Sequence, residues 1–150
     1  MTSDADDRTT AIGLYNYACS YHSAAQALSK ATFKATHKEA PTSFLYFHAI
    51  ELFLKAYLRI HGHSVREIKG TFGHSIERMR KRAKHLGFDF MDEDSDVLTL
   101  MEDSDIVIGS RYIRTGYKDV PTIEALERTA KSFRETTHDA ARSAGLMVRR

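Results

Sequence analysis

Phe44-Leu45-Tyr46-Phe47-His48-Ala49-Ile50-Glu51-Leu52-Phe53-Leu54-Lys55-Ala56-Tyr57-Leu58-Arg59-Ile60 is the stretch that decides the fold of this 150-residue chain. Thirteen of its 17 positions are apolar or aromatic, and the polar ones are His48, Glu51, Lys55 and Arg59. Those four are spaced 3, 4 and 4 apart, so a helix turning about 100° per residue gathers them into an arc of roughly 80°. The spacing predicts a helix buried on most of its circumference, with one narrow polar stripe. Such a helix is stable only when other helices cover it on several sides.

Composition sets the bounds around this hub. One domain spanning residues 1–150 is the expected organisation, with residues 1–8 and 146–150 frayed. Hydrophobic residues make up 42% and charged residues 28% of the chain, ordinary values for a globular protein. The formal charge of +2 does not by itself argue for a nucleic-acid partner. A single cysteine, Cys19, allows no intramolecular disulfide and no cysteine-based metal site. The acidic start, Met1-Thr2-Ser3-Asp4-Ala5-Asp6-Asp7, lacks the basic and apolar segments of a signal peptide. Residues 44–60 are too short and too charged to cross a bilayer. The expectation is a cytoplasmic protein without membrane, metal or cofactor.

Outward from the hub, Thr9 to about Lys34 reads as a first helix, with Ile12, Tyr15, Ala18, Cys19, His22, Ala25 and Leu28 at 3–4 spacing. His22 on that apolar side reads as a hydrogen-bonded core or boundary histidine. Pro41 suits the first turn of the central helix, and Gly62 its left-handed C-cap. Ser64-Val65-Arg66-Glu67 is a capping-box pattern opening a short turn closed by Gly70. Ser75 to Leu86 forms the next helix, stopped by Gly87, with Ile76, Met79, Ala83 and Leu86 on its buried side. The charge then reverses: residues 66–85 are strongly basic and residues 89–105 strongly acidic. Either the two segments neutralise one another, or the basic helix faces a phosphate backbone. Val97, Leu98, Leu100 and Met101 give a short helix, while residues 105–113 are either helical or extended. Thr122 is a good N-cap for a long last helix, with Glu124 and Glu127 in its early turns, where negative charge suits the dipole.

No phosphate-binding glycine loop, HExxH or Gly-x-Ser-x-Gly sequence is present. Cys19 with His22 lacks a visible third group for nucleophilic catalysis, and His61-Gly62-His63 lacks further ligands for a metal. The candidate constellation is cationic. Glu51 and Lys55 are an i, i+4 pair in the favourable order, which with His48 makes a structural polar seam. Lys55, Arg59, His74, Arg111 and Arg114 are candidates for binding a nucleotide or RNA, and His74 is the candidate acid or base. Against that stands the plainer reading in which Arg59 reaches solvent and His74 caps a helix.

These residues resemble a known family. Ala49-Ile50-Glu51-Leu52-Phe53-Leu54-Lys55-Ala56-Tyr57-Leu58, then Gly62, then His74-Ser75-Ile76 opening a basic amphipathic helix, is similar to the pattern of the HEPN domain family. The resemblance is clearest over residues 44–87. It implies an all-α antiparallel bundle of four to five helices, commonly a homodimer. Many members are metal-independent endoribonucleases in toxin–antitoxin, CRISPR-linked or anti-phage systems; others are inactive or bind nucleotides. Active members carry Arg-x(4–6)-His near the start of a late helix, where cation and acid/base group act on one phosphate. The loop where that motif is expected offers Arg111 and Arg114 but no histidine. Arg66 to His74 has seven residues between, while Arg59 to His63 and Arg134 to His138 have three. The expectation is a divergent member lacking the ribonuclease motif, acting by binding a nucleotide, RNA or a partner protein. The alternatives are a divergent ribonuclease using His74 with nearby arginines, and an antitoxin-type or structural interaction protein.

Overall fold

The computed structural model describes residues 8–103 and 120–149. Those residues form six α-helices and no strand: α1 (Ala11–Lys30), α2 (Glu39–Ile60), α3 (Val65–Glu67), α4 (Ile76–His85), α5 (Asp92–Asp103) and α6 (Ile123–Ser143). The described residues are all-α. The segment expected to be either helical or extended, 105–113, lies outside the described residues.

The apolar run of residues 44–60 forms the middle and end of α2. Phe47, Ala49, Ile50, Leu52, Phe53, Leu54, Ala56, Tyr57 and Leu58 are all buried. Helices α1, α4 and α6 pack on it, which satisfies the requirement that an almost wholly apolar helix be covered from several sides. Around Phe53 the core joins Tyr15 of α1, at a ring-centroid distance of 6.0 Å. At the other end, Tyr57 and Phe133 of α6 both pack edge-to-face on Phe88, at 4.8 Å and 5.0 Å. No helix of the described residues is long and apolar enough to cross a membrane.

Local sequence explains where most helices begin. Thr10, Ser64, Ser75 and Thr122 each accept a backbone N–H from the first turn they precede, which satisfies a donor the helix cannot, worth about 1 kcal/mol each. The capping box is complete, with the Glu67 side chain returning to the Ser64 N–H. Helix α1 stops at Lys30, four residues short of the expected end, because its apolar stripe runs out at Leu28; of the residues from 29 to 34 only Phe33 is half-buried and the others are exposed. The short turn after α3 also differs from expectation. It continues through a single π-helical turn, Ile68–Phe72, and closes at Gly73, whose φ is +51°, rather than at Gly70.

The acidic segment is not wholly solvated. It begins α5, and Asp94 is buried against α6, where it accepts a hydrogen bond of 2.8 Å from Thr129 Oγ1. Its other oxygen has no partner among the described residues. The basic α4 does lie beside acidic α5, but Arg80 bonds the Ser95 carbonyl and the Thr99 hydroxyl rather than a carboxylate. On α6 the buried stripe includes Thr129 and His138, and Ala144 is exposed. Within the stretch 146–150 expected to fray, Val148 packs on the core and the Tyr15 hydroxyl donates to the Arg149 carbonyl.

Candidate functional site

Glu51 organises the polar seam. Its side chain is only 1% exposed, yet three nitrogen-bearing side chains converge on it. His74 Nδ1 lies 2.8 Å from Oε1, Lys55 Nζ 3.9 Å from the same oxygen, and His48 Nδ1 3.8 Å from Oε2. A carboxylate only accepts, so His74 carries its proton on Nδ1 and leaves Nε2 facing outward on a ring 70% exposed. His48 is held by aromatic contacts, edge-on to Tyr21 at 4.3 Å and parallel to Phe44 at 6.2 Å.

Two neighbours fix His74 in the chain. Gly73 takes the positive φ that turns the π-helical segment toward α4, and Ser75 is the N-cap of α4. His74 therefore caps nothing, contrary to the plainer reading; its bond to Glu51 crosses from the turn to α2. An imidazole whose Nδ1 is anchored by a buried carboxylate presents Nε2 in fixed orientation, the arrangement used for proton transfer and for contact with anions.

The other predicted residues go elsewhere. Arg59 neither joins His74 nor reaches freely into solvent: Nε donates to the Thr9 carbonyl and Nη1 to the His63 carbonyl, each at 3.2 Å. Its guanidinium ties the approach to α1 to the turn after α2. Arg111 and Arg114 lie outside the described residues. His63 is fully engaged, accepting from Arg82 Nε at 2.9 Å through Nε2 and donating through Nδ1 to Glu67 Oε2 at 3.1 Å. His61 Nδ1 donates to the Tyr57 carbonyl. Among the described residues no group of three histidine, cysteine, aspartate or glutamate side chains converges as metal ligands would.

The expectation that the chain lacks the Arg-x(4–6)-His interval needs correcting, for α4 contains it. Arg80 and His85 have four residues between them, and Arg78 and His85 have six. Helix geometry keeps neither pair together. An offset of five turns His85 about 140° from Arg80, and an offset of seven puts it roughly 10 Å along the axis from Arg78. Arg78 and Arg80 also bond the Thr71 carbonyl and the Ser95–Thr99 edge.

A second polar network joins α1 to α6; the sequence points to its buried, hydrogen-bonded His22 but not to the partners. His22, 2% exposed, lies 3.0 Å through Nε2 from Glu127 Oε2, while Gln26 Nε2 donates to Oε1 at 2.8 Å. Arg134 Nη1 approaches His22 Nδ1 at 3.4 Å. A guanidinium only donates, so the imidazole accepts at Nδ1 and carries its proton on Nε2, toward Glu127. Burial lowers the His22 pKa and Arg134 adds to this, against the opposing pull of Glu127. Burial raises the Glu127 carboxyl, but hydrogen bonds from Gln26, Tyr46 and His22 outweigh it and hold the pKa below its ordinary value. Glu127 thus serves this network, beyond complementing the helix dipole. Cys19 has its thiol pushed up by burial beside Tyr15, the reverse of what a nucleophile needs. The available signal was positional: Glu127, Arg134 and His138 recur on one side of α6 at offsets of seven and four.

The fold and these two networks define an all-α protein with an anchored surface histidine. Comparison with protein-family models, with curated proteins and with solved structures gives no match.

Proposed function

We propose that the chain is a HEPN-like antiparallel helical bundle that acts as a homodimer and binds the phosphate of a nucleotide or RNA on the His74 face. The observation that carries this reading is the buried Glu51, which holds His74 and Lys55 at one carboxylate oxygen. Lys55 Nζ offers one donor to an anion, and His74 Nε2 offers a second when the ring carries a proton on both nitrogens; the exposed Arg66, Lys69 and Arg78 follow in the same chain segment. Phosphate contacts of this kind release counterions, so affinity for single-stranded RNA falls steeply with salt. Fluorescence anisotropy with a labelled oligoribonucleotide tests it. Binding weakens as salt rises, and weakens further in His74→Ala and Lys55→Ala; salt-independent binding, or binding by both variants as tight as the wild type's, sinks the proposal.

Metal-independent cleavage of RNA is a second reading, favoured by the 2.8 Å anchor on His74 Nδ1, which leaves Nε2 poised for acid/base work. Labelled RNA incubated in EDTA discriminates the two: cleavage by the wild type and not by His74→Ala establishes catalysis, and its absence leaves binding. Light scattering tests the dimer, since a mass at the 17.0 kDa of one chain contradicts it.

A further inference from the structure

Between α1 and α6 lies an open cleft of about 540 Å³, lined by Tyr15, His22, Gln26, Lys131, Arg134, Glu135, His138 and Asp139. That volume falls within the range of small-ligand sites, about 300–1,000 Å³. The cleft shares no residue with the His74 face. Its central feature is the half-buried Arg134. Among the described residues no carboxylate lies within ion-pairing distance of Arg134, nor of Lys131 one turn earlier. Arg134 instead meets neutral groups, His22 Nδ1 at 3.4 Å and the Tyr15 hydroxyl. Glu127 does not touch it: His22 lies between the two, with Nε2 toward Glu127 and Nδ1 toward Arg134. A partly desolvated guanidinium that no carboxylate contacts directly keeps donors open to an anion.

We propose that this cleft binds a small organic molecule through a single carboxylate, gripped by Arg134 with Lys131 at the mouth. The guanidinium fork matches a carboxylate in two parallel hydrogen bonds. Charge balance limits the ligand. Lys131 and Arg134 are offset by Glu135 and Asp139 among the lining residues, so the cleft is neutral overall and a polyanion meets two repelling carboxylates. A monocarboxylate or a zwitterion satisfies Arg134 without that penalty. His22, fixed by Glu127, keeps Arg134 in place through its Nδ1 lone pair.

The Arg134 Nε–Hε resonance of the full chain reports occupancy directly. Titrations with sodium propionate, L-alanine and sodium phosphate are compared with sodium chloride at equal ionic strength. Propionate and L-alanine produce a saturable shift, at about millimolar Kd for ligands this small, and phosphate binds more weakly than either. Tyr15 ring resonances give a second reporter, whose response disappears in Arg134→Gln. Lys131→Ala, an exposed change that spares the fold, weakens binding several-fold. The proposal is overturned by no saturable shift beyond that of chloride, by an unchanged Tyr15 response in a folded Arg134→Gln, by unchanged affinity in Lys131→Ala, or by phosphate binding more tightly than both carboxylates.

Discussion

Glu51 and His74 share one short hydrogen bond, but the two ends are not equivalent. The carboxylate is 1% exposed and the imidazole 70%. Removing Glu51 strands Lys55, itself only 13% exposed, whereas removing His74 leaves Glu51 with Lys55 and His48. Glu51→Ala should therefore cost about 3 kcal/mol and His74→Ala no more than about 1 kcal/mol, read from urea midpoints. Equal costs would mean that the carboxylate is not the organising group. His22 and Glu127 add a pH dependence. The folded His22 pKa lies below its ordinary 6.5, so between the two values the unfolded chain binds more protons. That contribution is complete above pH 6.5 and is lost as pH falls toward the folded value. Glu127, held below its ordinary 4.5, contributes stability that is present above 4.5 and is lost as pH falls through its own folded value. Urea midpoints should thus decline in two steps on acidification, and His22→Gln should remove the upper one. A decline confined to pH below 4.5 in the wild type would show that His22 is not held neutral.

The turn between α3 and α4 shows what a sequence reading of elements reaches and what it misses. Ser64 and Glu67 are three residues apart, so their capping box was legible. Two glycines follow, and nothing local distinguishes them: Gly70 is the natural stop for one helical turn, yet the chain runs on through a π-helical turn to Gly73. Gly73 has φ +51°, a conformation that costs other residues strain, while a Cβ at Gly70 meets nothing within 4 Å. Gly70→Ala should leave stability unchanged or raise it by about 0.5 kcal/mol. Gly73→Ala should lower it by about 1–3 kcal/mol and weaken the His74–Glu51 bond, visible in the His74 ring resonances. Equal effects would show that the turn closes at Gly70 after all. The candidate sites divide in the same way. Glu51 and Lys55 were readable because they sit one turn apart. The His22–Glu127 bond spans 105 positions, so it depends on how α1 and α6 pack, which periodicity does not specify.

At the scale of the molecule, the apolar run of α2 was the most legible feature, because a helix with a polar arc of only roughly 80° has one physical solution. Its burial by α1, α4 and α6 has a thermodynamic consequence. No one of those helices can leave without exposing α2, so the described helices should unfold together. Phe53 tests this at the centre. It is fully buried, it packs against Tyr15 and His22 rings at 6.0 Å and 6.3 Å, and its carbonyl accepts from Thr137 of α6. Phe53→Ala deletes a ring that touches α1 while leaving the backbone bond to α6 intact, and should cost about 3–5 kcal/mol through lost burial and the cavity left behind. Helical circular dichroism and tyrosine fluorescence should still give coincident urea transitions, displaced together to lower concentration. A cost below about 1 kcal/mol would mean the site collapses around the gap. Transitions that separate, with tyrosine fluorescence changing before helicity, would show instead that α1 detaches from a still-folded α2–α6 pair, and that the hub does not couple its neighbours.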